Sequence, residues 1–166
     1  MSPAPSSNRK TAIRRCGVKN CDAYRIIDAN LNRSREGLRV CEEIVRFGLS
    51  SPQLTKELKS VRHAVSLIAK AHYKRIGSLS SARDSSNDVG RVSKTPSEMR
   101  RSGLGDIFTA NAQRAKESLR VLEEFYKIFD RKISARFSRL RFKVYEIERK
   151  AFGRIEAVRQ IKKVSA

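Results

Sequence analysis

Two triplets of polar residues repeat at helical spacing. In "ANLNRSREGLRVCEE", residues 29–43, Asn30, Arg33 and Glu36 fall three apart; in "ANAQRAKESLRVLEE", residues 110–124, Asn111, Arg114 and Glu117 do the same. A guanidinium presents a planar fork that matches a phosphate bidentately. An amide beside it can hydrogen-bond a ring edge or a hydroxyl. Arg33 and Arg114 are therefore the candidates to neutralise a phosphoryl group, Arg62 and Arg141 to bind phosphate, and Asn30 and Asn111 to orient a ligand. Glu36 and Glu117 complete the set. A third cluster is "ARDSSNDVG", with Arg83, Asp84, Asp88 and Gly90. Two carboxylates four apart in a glycine-containing loop can hold Mg2+ together with a ligand's phosphates. The same residues also suit a solvated connector built on Asp turn chemistry.

Other chemistries lack their residues. There is no Walker A, no GxGxxG after a strand and no GxSxG. A di-iron bundle needs Glu-x-x-His, and none occurs. Cys16, Cys21 and Cys41 are odd in number, form no CxxC and have no histidine at ligand spacing, so reduced thiols fit better than a disulfide or a zinc site.

The triplets belong to an internal repeat. The second window follows the first by 81 residues and keeps Leu38/Leu119, Arg39/Arg120, Val40/Val121, Glu42/Glu123 and Glu43/Glu124 identical. The repeat continues at an offset of 79, where Leu54, Leu58, Val61 and Val65 correspond to Ile133, Phe137, Leu140 and Val144, and Arg62 to Arg141. Spacings of three and four mark amphipathic helices. Asp22 can cap a first helix over 22–48. Ser51 before Pro52 starts a second over 52–76. Thr95-Pro96-Ser97-Glu98 has capping-box spacing. Gly103 and Gly105 precede a third helix over 105–129, and Asp130 caps a fourth over 131–157. No period-two strand is visible.

The predicted fold is all-α: a four-helix bundle of two duplicated antiparallel hairpins joined by a long central loop. Residues 1–21 read as a basic, flexible tail and 22–157 as one helical domain. Within it, hairpin one spans 22–76, the loop 77–98 and hairpin two 99–157; residues 158–166 form a second basic tail.

On a helical wheel with Asn30 at zero, Ile26 and Ile44 fall near about 320°, Gly37 near about 340° and Val40 near about 280°. Arg33, near about 300°, lies inside that arc, so Asn30 and Arg33 are expected on the core-facing stripe, as are Asn111 and Arg114. Glu36 and Glu43, with Glu117 and Glu124, line one edge. A guanidinium there needs partners. They are either the protein's own glutamates and asparagines, in a network made twice by duplication, or an anionic ligand in a pocket between the hairpins. His72 falls on an apolar stripe and His63 opposite it.

The chain has 166 residues, 37 of them Lys or Arg against 17 Asp or Glu, for a net charge of +20. That favours anionic partners: nucleic acid, acidic membrane or phosphorylated small molecules. No apolar run approaches transmembrane length and the N-terminus lacks a secretory core, so no membrane partner and a cytoplasmic location are expected. A nucleic-acid-binding helical protein is disfavoured by the lack of an aromatic platform. An exposed duplicated face could support a homodimer.

Together, "RIIDANLNRSREGLRVCEEIVRF", "LKSVRHAV", "ARDSSNDVG" and "DIFTANAQRAKESLRVLEEFYK" resemble the helical domain at the N-terminus of some bacterial thiamine phosphate synthases, a monofunctional hydroxymethylpyrimidine phosphate kinase family. The resemblance covers roughly residues 22–130. It implies phosphoryl transfer from ATP to 4-amino-5-hydroxymethyl-2-methylpyrimidine phosphate, with Mg2+, in thiamine biosynthesis. The synthase barrel is absent, which implies a freestanding kinase working beside a separate thiamine phosphate synthase. The family loop continues Asp-Val-Gly-Thr, whereas Arg91 follows Gly90 here. The nucleophile is a phosphate monoester with a second pKa of about 6, so arginines, Mg2+ and closure of a loop carrying Arg83 and Gly90 suffice without a general base. The alternatives are a basic nucleic-acid-binding protein and a non-catalytic phosphate-ligand sensor.

Overall fold

The computed structural model describes residues 21–76 and 101–164. Four helices follow one another: α1, Cys21–Glu43, continued by a π-helical turn, Ile44–Gly48; α2, Pro52–Ile76; α3, Leu104–Phe129; and α4, Arg131–Val164. No strand occurs among the described residues, and the fold is the expected all-α bundle. Among the described residues no helix is long and apolar enough to cross a membrane.

Capping chemistry sets the joints. The π-turn lets the Leu49 N–H reach Ile44 O at 3.2 Å and the Ser51 N–H reach Val45 O at 3.0 Å. Ser50 then takes a left-handed conformation, φ 46°, and Ser51 Oγ accepts from Leu54 N–H at the start of α2. The second hairpin turns on one residue. Asp130 Oδ1 accepts from Lys132 N–H at 2.9 Å and Ile133 N–H at 3.2 Å, the capping that its sequence position requires. The fourth helix runs past its expected end near 157 to Val164.

The helices form a closed ring of neighbours, α1 with α2 and α3, and α4 with α3 and α2. Ile27, Leu31, Leu38, Leu58, Val61, Leu119, Leu122 and Phe137 are fully buried between them, each contributing about 1.5–3 kcal/mol through removal from water. The two hairpins meet along α1 and α3, which run antiparallel: Gly37 lies against Asn111 and Ala115, while Cys41, one turn on, lends its thiol to Phe108 O, one turn back, at 3.6 Å. Burial, with Glu148 nearby, pushes the Cys41 thiol up to about 12, so it stays protonated and unreactive.

The repeat is not symmetric at its ends. Where α1 begins and α2 and α3 finish, Tyr126 and the buried His72 share a 2.8 Å hydrogen bond through His Nδ1, and Tyr24 stacks on Phe129 at 4.9 Å. The corresponding positions at the opposite end are Val45, Ala151, Gly105 and Gly48. His72 is thus a core residue, as its stripe predicts, and His63 is exposed.

Gly37 marks the closest approach: a Cβ there would stand 2.8 Å from Asn111 O. Gly37→Ala is expected to cost about 1–3 kcal/mol through overpacking, read as a lower Tm in thermal denaturation. Gly153 lies in α4, and a methyl group added there would meet nothing within 4 Å. Gly153→Ala therefore gives the opposite sign, a gain of up to about 1 kcal/mol from helix propensity.

Candidate functional site

The core-facing arc of α1 is centred elsewhere than expected. Ile27, Leu31, Ser34, Leu38 and Val45 are wholly buried, and they span about 40–100° on the same wheel. Arg33, some 120° or more from most of them, is exposed, and so is Arg114. Ile26, the apolar residue beside Arg33, is 36% exposed. The arc near about 300° is thus a flank of the buried face and not its centre: Gly37 on it lies against α3, while Ile26 stands at the surface. Asn30 is buried at the edge of the core, and its amide donates to Ile26 O at 2.8 Å. Asn111, half-buried, repeats this with Ile107 O at 2.8 Å. Each amide thus gives one N–H to its own helix one turn back. Glu36 and Glu117 are exposed, the latter accepting from Gln113 at 2.8 Å.

The duplicated arginine–glutamate network exists, but through other glutamates. Glu42, its side chain 4% exposed, receives Arg62 Nε at 2.8 Å and Arg39 Nη1 at 3.4 Å; Arg39 also reaches Glu43 at 2.6 Å. In the second hairpin Glu123 receives Arg141 Nη2 at 3.0 Å and Arg120 Nη1 at 2.8 Å, with Arg120 on Glu124 at 2.8 Å. Arg62 and Arg141 flank the stripes of α2 and α4, as their register predicts. Their guanidiniums join the two helices of each hairpin.

Where the halves differ, a groove opens. In hairpin two, Lys116 is buried, ion-paired to Glu148 at 2.6 Å and lies 4.7 Å from the centre of the Tyr145 ring. The equivalent positions in hairpin one are Arg35, Ala69 and Ser66. Without the carboxylate and the ring, a groove of about 490 Å³ lies between α1 and α2, lined by Asn32, Arg35, Arg39, Arg62, Ser66 and Glu36 among others. Arg35 donates to Asn32 Oδ1 at 2.5 Å, and among the described residues it makes no ion pair. Three guanidiniums therefore line a solvent-open seam with one of them outside any ion pair among the described residues, an arrangement whose chemistry suits an oxyanion. The expected residues Arg62 and Glu36 belong to this groove; Arg33 and Arg114 do not line it. Asn32, Arg35, Arg39 and Ser66 were missed. Comparing the two halves for their differences, rather than their identities, would have found Arg35 and Ser66.

Arg83, Asp84, Asp88, Gly90, Arg91 and the capping box at Thr95 lie outside the described residues, as do Cys16 and the N-terminal tail. Among the described residues no group of three or more metal-ligating side chains occurs.

The ThiD2 family model matches residues 25–150. Thiamine-phosphate synthase of Nostoc sp. (strain PCC 7120) is 42% identical over 130 residues, 78% of this chain and 35% of that protein. The thiamine-phosphate synthases of Synechocystis sp. (strain PCC 6803) and Rhodopirellula baltica are 42% and 39% identical, over 78% of this chain in each case and 36% and 35% of their own length. The chain thus spans about a third of the curated relatives it matches. No solved structure matches it. These relatives are named for a synthase, not for a hydroxymethylpyrimidine phosphate kinase, and that finding overturns the enzyme class expected from the resemblance.

Glu42 gives a pH signature. Burial pushes its carboxyl up, but the hydrogen bond and charge of Arg62, helped by Arg39 and Lys59, outweigh this and hold it below the usual range. A carboxyl lowered on folding stabilises above its unfolded pKa, and that contribution is lost as pH falls through the folded value. Chemical denaturation from pH 6 downward is expected to show stability declining below about pH 4.5, with Glu42→Gln less stable at pH 6 and flatter on the acid side.

Proposed function

The chain belongs to the ThiD2 family, and from that premise we propose that it works in thiamine biosynthesis by binding a phosphorylated pyrimidine intermediate in the groove between α1 and α2. The ligand is 4-amino-5-hydroxymethyl-2-methylpyrimidine phosphate or its close relative, and a thiamine-phosphate synthase, the activity for which the relatives are named, is the partner that uses it. The observation that carries this reading is Arg35. Its counterpart Lys116 has a carboxylate and a ring over it, whereas Arg35 faces an open groove with Arg39 and Arg62 beside it. In this reading Arg35 and Arg39 hold the phosphate, and Arg62, anchored on Glu42, supplies positive charge without moving. Ser66 and Asn32 offer a hydroxyl and an amide within the same groove. The family name and the synthase relatives support the pathway; the uncapped guanidinium supports the phosphate.

Isothermal titration calorimetry with the pyrimidine phosphate is the test. Arg35→Ala is expected to weaken binding at least about tenfold, the scale of one lost charged hydrogen bond. Ser66→Tyr, which copies hairpin two into hairpin one, should block the groove. Arg25→Ala, on the exposed face of α1, should bind as the unaltered chain does. Unchanged affinity in both Arg35→Ala and Ser66→Tyr would remove the groove from the account. ATP with Mg2+, titrated against the same variants, measures whether a nucleotide uses these cations too.

A further inference from the structure

α4 carries a surface that the groove does not use. Its 34 residues include 12 Lys or Arg against three Glu, so nearly half of the chain's net positive charge resides on one helix. On a wheel with the buried Phe137 at zero, Phe142, Tyr145 and Phe152 fall at about 60–140°, and Lys132, Arg136, Arg139 and Lys143 at about 200–260°. The helix therefore bears an aromatic ridge on one flank of its outer face and a basic ridge on the other, closest where Phe142 and Arg139 stand about 60° apart.

The aromatic ridge is open. Phe142 is 58% exposed, Tyr145 44% and Phe152 50%. The Phe142 and Tyr145 ring centres lie 6.2 Å apart, and Phe152 stands seven residues, about 10.5 Å, further along the axis. Arg141 lies over the Phe142 ring at 4.8 Å and Lys116 over the Tyr145 ring at 4.7 Å, so a cation backs one face of each ring and stacking is left to the other face. Beside Phe142 a groove of about 830 Å³ is lined by Arg131, Ser134, Ser138 and Arg139 among others. Among the described residues Arg131, Lys132, Arg136, Arg139 and Lys143 make no ion pair, so their charge is uncompensated. The internal repeat supplies the control for structural necessity. The positions of Phe142, Tyr145 and Phe152 are held in α2 by His63, Ser66 and Tyr73, of which only His63 is exposed, so α2 packs into the same bundle without a run of three exposed rings. The aromatic platform that the sequence was expected to lack is present.

We propose that this double ridge binds single-stranded polynucleotide, with bases stacked on Phe142, Tyr145 and Phe152 and phosphates along Arg136, Arg139 and Lys143. Stacking platforms flanked by cations are what unpaired strands require. A second copy of the chain would bring two uncompensated basic ridges together. An acidic protein surface would answer the charge but would set carboxylates against the exposed rings. The site is separate from the α1–α2 groove and does not depend on its ligand.

Fluorescence anisotropy of the full chain with a labelled 15-residue oligouridylate tests it. Binding is expected, weakening steeply between about 50 and 200 mM salt as released counterions dictate. The triple variant Phe142→Ala, Tyr145→Ala, Phe152→Ala should lose at least about tenfold in affinity while keeping its helical circular dichroism and its salt slope. Arg139→Ala with Lys143→Ala should lower both the affinity and the slope. Oligothymidylate should bind alike, because stacking and phosphate contacts need no 2′-hydroxyl. The proposal falls if oligouridylate does not bind, or if the triple variant binds as well as the unaltered chain, which is polyelectrolyte attraction alone. It also falls if labelled polyglutamate binds as tightly as the oligouridylate. Sedimentation as a dimer that the triple variant dissolves, without any binding of the strand, would assign the ridge to self-association instead.

Discussion

Each hairpin is held in register by a carboxylate taken almost out of water. Glu42 and Glu123 each receive a guanidinium from their own helix and another from the neighbouring one. Burying these charges is costly, and the cost is offset because each carboxylate has at least one short, hydrogen-bonded guanidinium, Arg62 on Glu42 at 2.8 Å and Arg120 on Glu123 at 2.8 Å. The pairing fixes α1 against α2 and α3 against α4 to within one turn. Everything on the outer seams follows from that register, including which side chain stands opposite Arg35 and which opposite Lys116. A slip of one turn would leave a buried glutamate without its partner, and removal of one member of such a pair is far more damaging than absence of both.

The helices were legible because their signals are local. Periodicity at three and four, Ser51 before Pro52 and Asp130 between two apolar stripes mark elements and joints without reference to the rest of the chain. The repeat made the pairing of helices legible as well. The facing of α1 was not, because that helix packs on two neighbours and its apolar residues spread over two arcs. Ile26, Val40 and Ile44 describe one arc and Ile27, Leu31 and Leu38 the other. A wheel by itself does not say which one meets the bundle axis. Arg33 and Arg114 were expected on the core-facing arc for that reason and are exposed instead, while Asn30 and Asn111 each give one N–H to a carbonyl one turn back.

The positions that duplication kept identical and the positions it let diverge have different roles. Glu42/Glu123, Arg39/Arg120 and Arg62/Arg141 are the same in both halves because both halves need the same clamp. Arg35/Lys116, Ser66/Tyr145 and Ala69/Glu148 differ, and there one half is sealed by its own side chains while the other stays open. The four-helix scaffold and its ion pairs are thus common to both halves, whereas the open groove beside Arg35 belongs to one. The same logic separates α4 from α2: one helix presents rings and uncompensated cations, and its counterpart presents a histidine and a serine.

Gly37 gives the duplication a direction. Its place in the other half is taken by Ser118. Two copies of hairpin two, joined as the present halves are, would set Ser118 where Gly37 now lies, with its Cβ 2.8 Å from the carbonyl of Asn111. Two copies of hairpin one would meet no such obstruction, since glycine would face Asn30. That contact biases hairpin two toward hairpin one as its mate, by an overpacking cost on the order of 1–3 kcal/mol. Covalent linkage delivers that mate at high effective concentration.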